Sequence, residues 1–178
     1  DCDGALEFET PALEREVRLA VGKPTGELTR ADVAGLTTLK ANGYGLVSLE
    51  GLQCLIGLRD LELQGNQITD LGPLGNLVAL ERLNLYSNRL VDLSPLAGLA
   101  RLVELDLAYN ELTSVAAIAG APRLETLSLR ANFAFNDWEN LKSFPSLVWL
   151  DVGSTMLTAL AQLSGLTGLE SLTVDGNP

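Results

Sequence analysis

The sequence contains no histidine. That removes Ser-His-Asp and Cys-His nucleophile arrangements, the usual proton shuttle near neutral pH, and the common zinc sites together. Cysteine is almost as scarce. Cys2 and Cys54 lie too far apart for a CxxC redox pair and are too few for a tetrahedral zinc site, which leaves a single disulfide as one reading. Cationic side chains are outnumbered, 12 Lys and Arg against 23 Asp and Glu, for a formal charge of −11. Nucleic acid and anionic lipid recruit basic patches, so neither is expected as a partner; the charge serves solubility or attracts a basic protein. No apolar run approaches the roughly 20 residues that span a bilayer, and the chain opens in polar sequence without the charged and apolar regions of a signal peptide. Phosphate-cradling glycine loops of the GxxxxGK[ST] or GxGxxG type are missing, and Asp1 with Asp3 lack the spacing of a calcium loop. Glu62 and Asp106 could pair as glycosidase acids, but on an open sheet water is expected to hold both near their ordinary pKa. No enzyme activity, cofactor or metal is expected.

What the sequence has in abundance is leucine at a fixed period. A frame restarts at Leu36, Leu58, Leu80, Leu102, Leu124, Leu147 and Leu169, twenty-two residues apart except for one step of twenty-three. Such a period marks units that cannot bury an apolar side alone and become stable by stacking. Within the unit from Leu58, Leu61 and Leu63 alternate with Asp60, Glu62 and Gln64, the pattern of a short strand with one buried face. Leu71, Leu74, Leu77 and Leu80 are spaced by three, which fits a 3₁₀ turn better than an α-helix. Stacked coils give a parallel sheet whose strands lie about 4.8 Å apart, so seven span roughly 30 Å. Asn66, Asn88, Asn110, Asn132 and Asn177 fall where each strand turns, where an amide can pair with the backbone of adjacent coils. Tyr44 and Thr155 depart from this ladder.

The form LxxLxLxxN followed by LxPLxxL, at Leu58 to Leu77 and again at Leu80 to Leu99, resembles the 22-residue leucine-rich repeats of bacterial internalin-like surface proteins. The resemblance covers residues 36–178. It implies an α/β fold: a right-handed solenoid with a parallel sheet on its concave face, 3₁₀ or irregular structure on its convex side, and an N-terminal helical cap. On this reading residues 1–35 are the cap and residues 36–178 the solenoid, about six full repeats and a partial seventh. It also implies an extracytoplasmic site, secreted, periplasmic or on the bacterial cell surface.

In the cap, Thr10-Pro11 opens a helix, continued by Leu13, Val17 and Leu19 and closed by Gly22-Lys23-Pro24. Thr29 with Asp32 predicts a second short capped turn before Gly35. A cap seated on the first coil would bring Cys2 toward Cys54 on the first return segment, so that a disulfide pins one to the other; two free thiols, or a lipid anchor on Cys2, are the competing readings. The repeat from Leu124 carries the extra residue and a cluster of Phe133, Phe135, Trp138 and Phe144, expected to be core of a widened coil. From Leu169 to Pro178 only a strand and corner follow, so the last coil is expected to expose apolar residues, either cut from a longer protein or covered by something else.

Because the leucines point inward, any partner must read the other strand positions. These form three columns: Thr38, Asp60, Arg82, Glu104, Thr126, Trp149, Ser171; then Lys40, Glu62, Asn84, Asp106, Ser128, Asp151, Thr173; then Asn42, Gln64, Tyr86, Ala108, Arg130, Gly153, Asp175. Arg82 between Asp60 and Glu104, and Lys40 beside Glu62, are expected lateral ion pairs. Trp149, Tyr86 and Arg130 stand beside small residues, and these types dominate interface hot spots. The expected function is therefore non-enzymatic protein binding through the concave strand face. Tyr86, Tyr109, Arg130 and Trp149 are the expected anchors, surrounded by Arg82, Glu104, Asp106 and Asp151. Two other readings compete: a structural spacer in a larger envelope assembly, touched at its C-terminal coil, and a cytosolic regulatory scaffold for an enzyme.

Overall fold

The computed structural model describes residues 2–178; Asp1, weighed above as a calcium ligand, lies outside them. Helix α1 (Pro11–Val21) and the short α2 (Arg30–Val33) precede seven three-residue strands: β1 (Thr38–Lys40), β2 (Asp60–Glu62), β3 (Arg82–Asn84), β4 (Glu104–Asp106), β5 (Thr126–Ser128), β6 (Trp149–Asp151) and β7 (Ser171–Thr173). They form one parallel sheet in sequence order, with Leu39, Leu61, Leu83, Leu105, Leu127, Leu150 and Leu172 in register. Each coil returns through a 3₁₀ turn: Leu52–Cys54, Gly72–Leu74, Ser94–Leu96, Ala116–Ile118 and Leu160–Leu163. The coil with the extra residue is the exception. There the return is an α-helical turn, α3 (Trp138–Leu141), because the added residue supplies the length that a 3₁₀ turn lacks.

The core is a continuous leucine column. Leu58, Leu80, Leu102, Leu124 and Leu147 of the frame are all buried, and each buried leucine contributes on the order of 2 kcal/mol of apolar transfer energy. Phe135, Trp138 and Phe144 fill the widened coil, Phe135 meeting Trp138 edge to face at 5.2 Å. Phe133 does not join them. It is 68% exposed, because it sits on the outward side of the inserted turn.

The asparagine ladder closes the corners. Asn88 accepts the N–H of Ile68 in the preceding coil (3.1 Å) and donates to the carbonyls of Leu63 (3.1 Å) and Leu85 (3.0 Å); Asn66, Asn110 and Asn132 repeat the pattern. Thr155 is tolerated for a local reason. The N–H of Phe135 is already bonded to the Asn132 carbonyl (3.0 Å), so the Thr155 hydroxyl need only donate to Val152 O (2.7 Å). At the other end of the ladder Tyr44 meets the cap, its ring 5.1 Å from the Arg15 guanidinium.

The cap packs on the first coil through Leu13, Val17, Leu28 and Val33, and Leu6 N–H bonds Leu28 O (2.7 Å). Thr10 occupies the N-cap position, but its hydroxyl caps nothing; it reaches across to Ser48 O (3.4 Å). Asp32 accepts the Thr29 N–H and hydroxyl (both 2.7 Å) and the Lys23 ammonium (2.8 Å), fixing the start of α2. Cys2 and Cys54 meet with Cα atoms 5.5 Å apart and their sulfurs within bonding distance. At the far end Leu172 is 39% exposed, whereas its counterparts in β1 to β6 are buried.

Candidate functional site: the concave strand face

The polar positions of β2 to β6 line a trough of about 550 Å³. It gathers Tyr86, Arg130, Trp149, Arg82, Glu104, Asp106 and Asp151 along its walls and floor. Tyr109, the eighth expected residue, lies outside the three columns, one position past Ala108 at the strand corner. It joins the others through its ring, 5.1 Å from that of Tyr86 and tilted by 56°.

That corner is stereochemically unusual. Gly43, Gly65 and Gly176 take left-handed φ values of about 70° at the equivalent site, and Ser87, Tyr109, Ala131 and Ser154 are held there at 52–56°. For a residue with a side chain the left-handed region costs roughly 1–2 kcal/mol, and for a bulky ring it is a true outlier. The stacked coils impose that conformation at Tyr109, where glycine would fit without strain.

Two of the expected residues, the anchor Arg130 and Arg82 of the polar surround, are already engaged. Arg130 lies flat on Gly153, so close that a Cβ there would fall 2.3 Å from its Nη1. It reaches over that glycine to grip the Asp175 carboxylate with both nitrogens (2.6 to 3.2 Å), while its Nε faces Asp151 at 3.4 Å. Arg82 was expected between Asp60 and Glu104; it pairs with Asp60 through two nitrogens, and no ion pair joins it to Glu104 among the described residues. Lys40 pairs with Glu62 as expected (2.8 Å).

The acids differ from the uniform behaviour expected of an open sheet. Glu62 is pulled below the ordinary glutamate range, first by its hydrogen bond with Lys40 and then by Asn42. Asp106 is pushed above the ordinary aspartate range, because burial in the trough floor disfavours its charge and Asp151 adds repulsion. Its Oδ1 also accepts the Ala108 N–H (3.0 Å), as Asp151 accepts Gly153 (2.8 Å) and Asn84 accepts Tyr86 (3.0 Å), so this column closes backbone turns as well as facing the trough. Ser128, a column residue that is not among the expected site residues, sits between Asp106 and Asp151. It is nine-tenths buried in the floor.

Among the described residues no histidine, cysteine, aspartate and glutamate side chains gather in a group of three or more able to hold a metal ion. No helix among them is long and apolar enough to cross a membrane.

The same geometry can be set beside known proteins. Family descriptions of leucine-rich repeats match residues 56–98, as two copies, and residues 79–133. The crystal structure of internalin C2 from Listeria monocytogenes superposes with a TM-score of 0.90 at 38% identity, over 96% of this chain and 76% of that one. The chain belongs to the bacterial internalin-like leucine-rich repeat family. Internalin H of Listeria monocytogenes is 43% identical to this internalin-like chain over 53 residues, which is 29% of the chain but 10% of that relative's length. A leucine-rich repeat protein of Leptospira interrogans superposes with a TM-score of 0.73 at 29% identity, covering 82% of this chain and 38% of its own. The family and the solenoid are thus those the leucine frame resembled, and a protein-binding role is what such a fold suggests.

Proposed function

We propose that this internalin-like solenoid binds a protein partner through its concave strand face, outside the cytoplasm. The observation that carries the reading is the tyrosine pair: Tyr86 and Tyr109 stand 38% and 45% exposed, one of them held in a left-handed conformation, beside a trough lined by Trp149. Large rings over small neighbours supply buried area at low entropic cost, which is the chemistry of an interface anchor. Tyr86, Tyr109 and Trp149 are the anchors of this proposal. Arg130 acts less as a free anchor than as a wall, since Asp175 and Asp151 already neutralise it; Arg82, Glu104, Asp106 and Asp151 complete the polar surround.

The extracytoplasmic site rests on the internalin-like family and on the meeting of Cys2 with Cys54, which we take as a disulfide of an oxidising compartment. A bonded Cys2 leaves no sulfur for a lipid, and a stable disulfide argues against a cytosolic scaffold.

Selection of binders from a displayed random-peptide library against the full chain tests the proposal. Binding of the recovered peptides should fall by at least about tenfold in a Tyr109→Ala, Trp149→Ala double variant, as expected for loss of interface anchors. Peptides that bind the variant unchanged, or a library that yields none, would overturn the concave-face reading.

A further inference from the structure

Charge is not evenly spent along the trough. Asp60 is matched by Arg82, Glu62 by Lys40, and Asp151 with Asp175 by Arg130. Glu104 and Asp106, side by side on the concave face of β4, have no ion-pair partner among the described residues. One strand further on, the Ser128 hydroxyl opens on the same floor, 9% exposed and without a hydrogen-bond partner among the described residues. Next to it the register places Trp149 beyond Thr126, and on the other side of β4 stands Tyr86.

This arrangement leaves two carboxylates two residues apart, roughly 7 Å along a strand, an unused hydroxyl acceptor, and the aromatic side chains of Trp149 and Tyr86 lining the same trough. We infer that the notch formed by Glu104, Asp106 and Ser128 receives a cationic side chain of the protein partner, arginine in preference to lysine, between Trp149 and Tyr86. A planar guanidinium has enough donors to meet two carboxylates and a hydroxyl at once, and it stacks on aromatic faces that a compact ammonium uses less well. Charge complementarity agrees: the chain carries −11, and every neighbouring guanidinium that could fill the notch from within is committed elsewhere.

The inference rests on the proposed concave-face binding, and its test is independent of any selected peptide. The full chain is titrated with two Gly/Ser peptides identical but for one residue, arginine in one and its uncharged isostere citrulline in the other, followed by backbone-amide NMR and tryptophan fluorescence. The arginine peptide should shift the amides of 104–108 and 126–130 and bind at least about tenfold tighter than the citrulline peptide, a ratio appropriate to a charge-assisted contact. Glu104→Gln with Asp106→Asn should erase that preference; the asparagine can still accept the Ala108 N–H, as Asn84 does for Tyr86, so the coil is kept. Ser128→Ala should weaken the arginine peptide by about threefold, the usual worth of one hydrogen bond. Equal binding of the two peptides, or an arginine preference that survives the double variant, would overturn the inference while leaving concave-face binding to the library selection.

Discussion

Replacing Asn132 with alanine tests the ladder that holds the coils in register. Its amide is fully buried; Oδ1 accepts the Leu112 N–H (2.9 Å), and Nδ2 donates to the carbonyls of Leu107 (3.0 Å) and Leu129 (2.8 Å). Both carbonyls keep a second donor after truncation, Leu107 from the Asn110 amide (3.0 Å) and Leu129 from the backbone N–H of residue 132 (3.2 Å). The Leu112 N–H keeps none. An orphaned buried donor costs about 1–3 kcal/mol, and the two weakened carbonyl pairings add about 1 kcal/mol, so the loss should be about 3 kcal/mol. For a chain of this size that lowers Tm by about 9 °C. Equilibrium urea unfolding followed by the fluorescence of Trp138 and Trp149 measures it. Asn177→Ala is the internal control: its Oδ1 likewise accepts the N–H groups of Thr155 (2.9 Å) and Leu157 (3.2 Å), but the site is only partly buried and water can replace the amide. It should cost about 1 kcal/mol or less. A loss below about 1 kcal/mol for Asn132→Ala, or equal losses at both sites, would refute the argument that buried backbone satisfaction sets the ladder.

Other perturbations address the cap. Gly51 takes a φ of 103°, and a Cβ there would lie 2.4 Å from the Phe8 ring and 2.7 Å from Glu7 O. Gly51→Ala should therefore cost about 2 kcal/mol or more and speed proteolysis of residues 2–10, since backbone strain and overlap add. Asp32 is held at about 2, below the ordinary 3.8, chiefly by its hydrogen bond with Lys23 and then by Thr29. A depressed folded pKa means the unfolded chain binds the proton more readily, so the stabilisation is present above pH 3.8 and fades as pH falls toward about 2. Asp32→Asn should flatten that part of the acid limb in thermal melts recorded from pH 5 to pH 2; an unchanged acid limb would contradict the assignment. Joint replacement of Cys2 and Cys54 by alanine should cost about 4 kcal/mol of loop entropy for the 52-residue separation, read by urea unfolding, with intact masses before and after reduction reporting the bond itself.

The leucine frame made the fold legible because an array with one period has one way to bury its apolar side. From that frame each strand position could be assigned to a face, which is why seven of the eight expected residues lie in one trough. What the sequence hid were contacts that skip a coil. Arg130, Gly153 and Asp175 stand in one column, and the glycine between them lets the guanidinium pass, whereas pairing between adjacent strands alone shows a small neighbour and a free arginine. Burial within a polar column was equally hidden, so Asp106 and Ser128 looked as solvated as Glu104. Tyr109 shows a different limit, since its left-handed backbone follows from stacked coils and not from local sequence. Phe133 was misplaced because the inserted residue breaks the period on which inward and outward were judged.

The most direct test of the central claim is a backbone-amide NMR map of the chain with its tightest library-selected peptide bound. Concave-face recognition predicts that the largest shifts fall on β3 to β6 and on the corners at 86–88 and 108–110, with the 3₁₀ turns on the opposite side unmoved. Shifts centred on those turns, on α1 or on the last coil from 160 to 178 would contradict it.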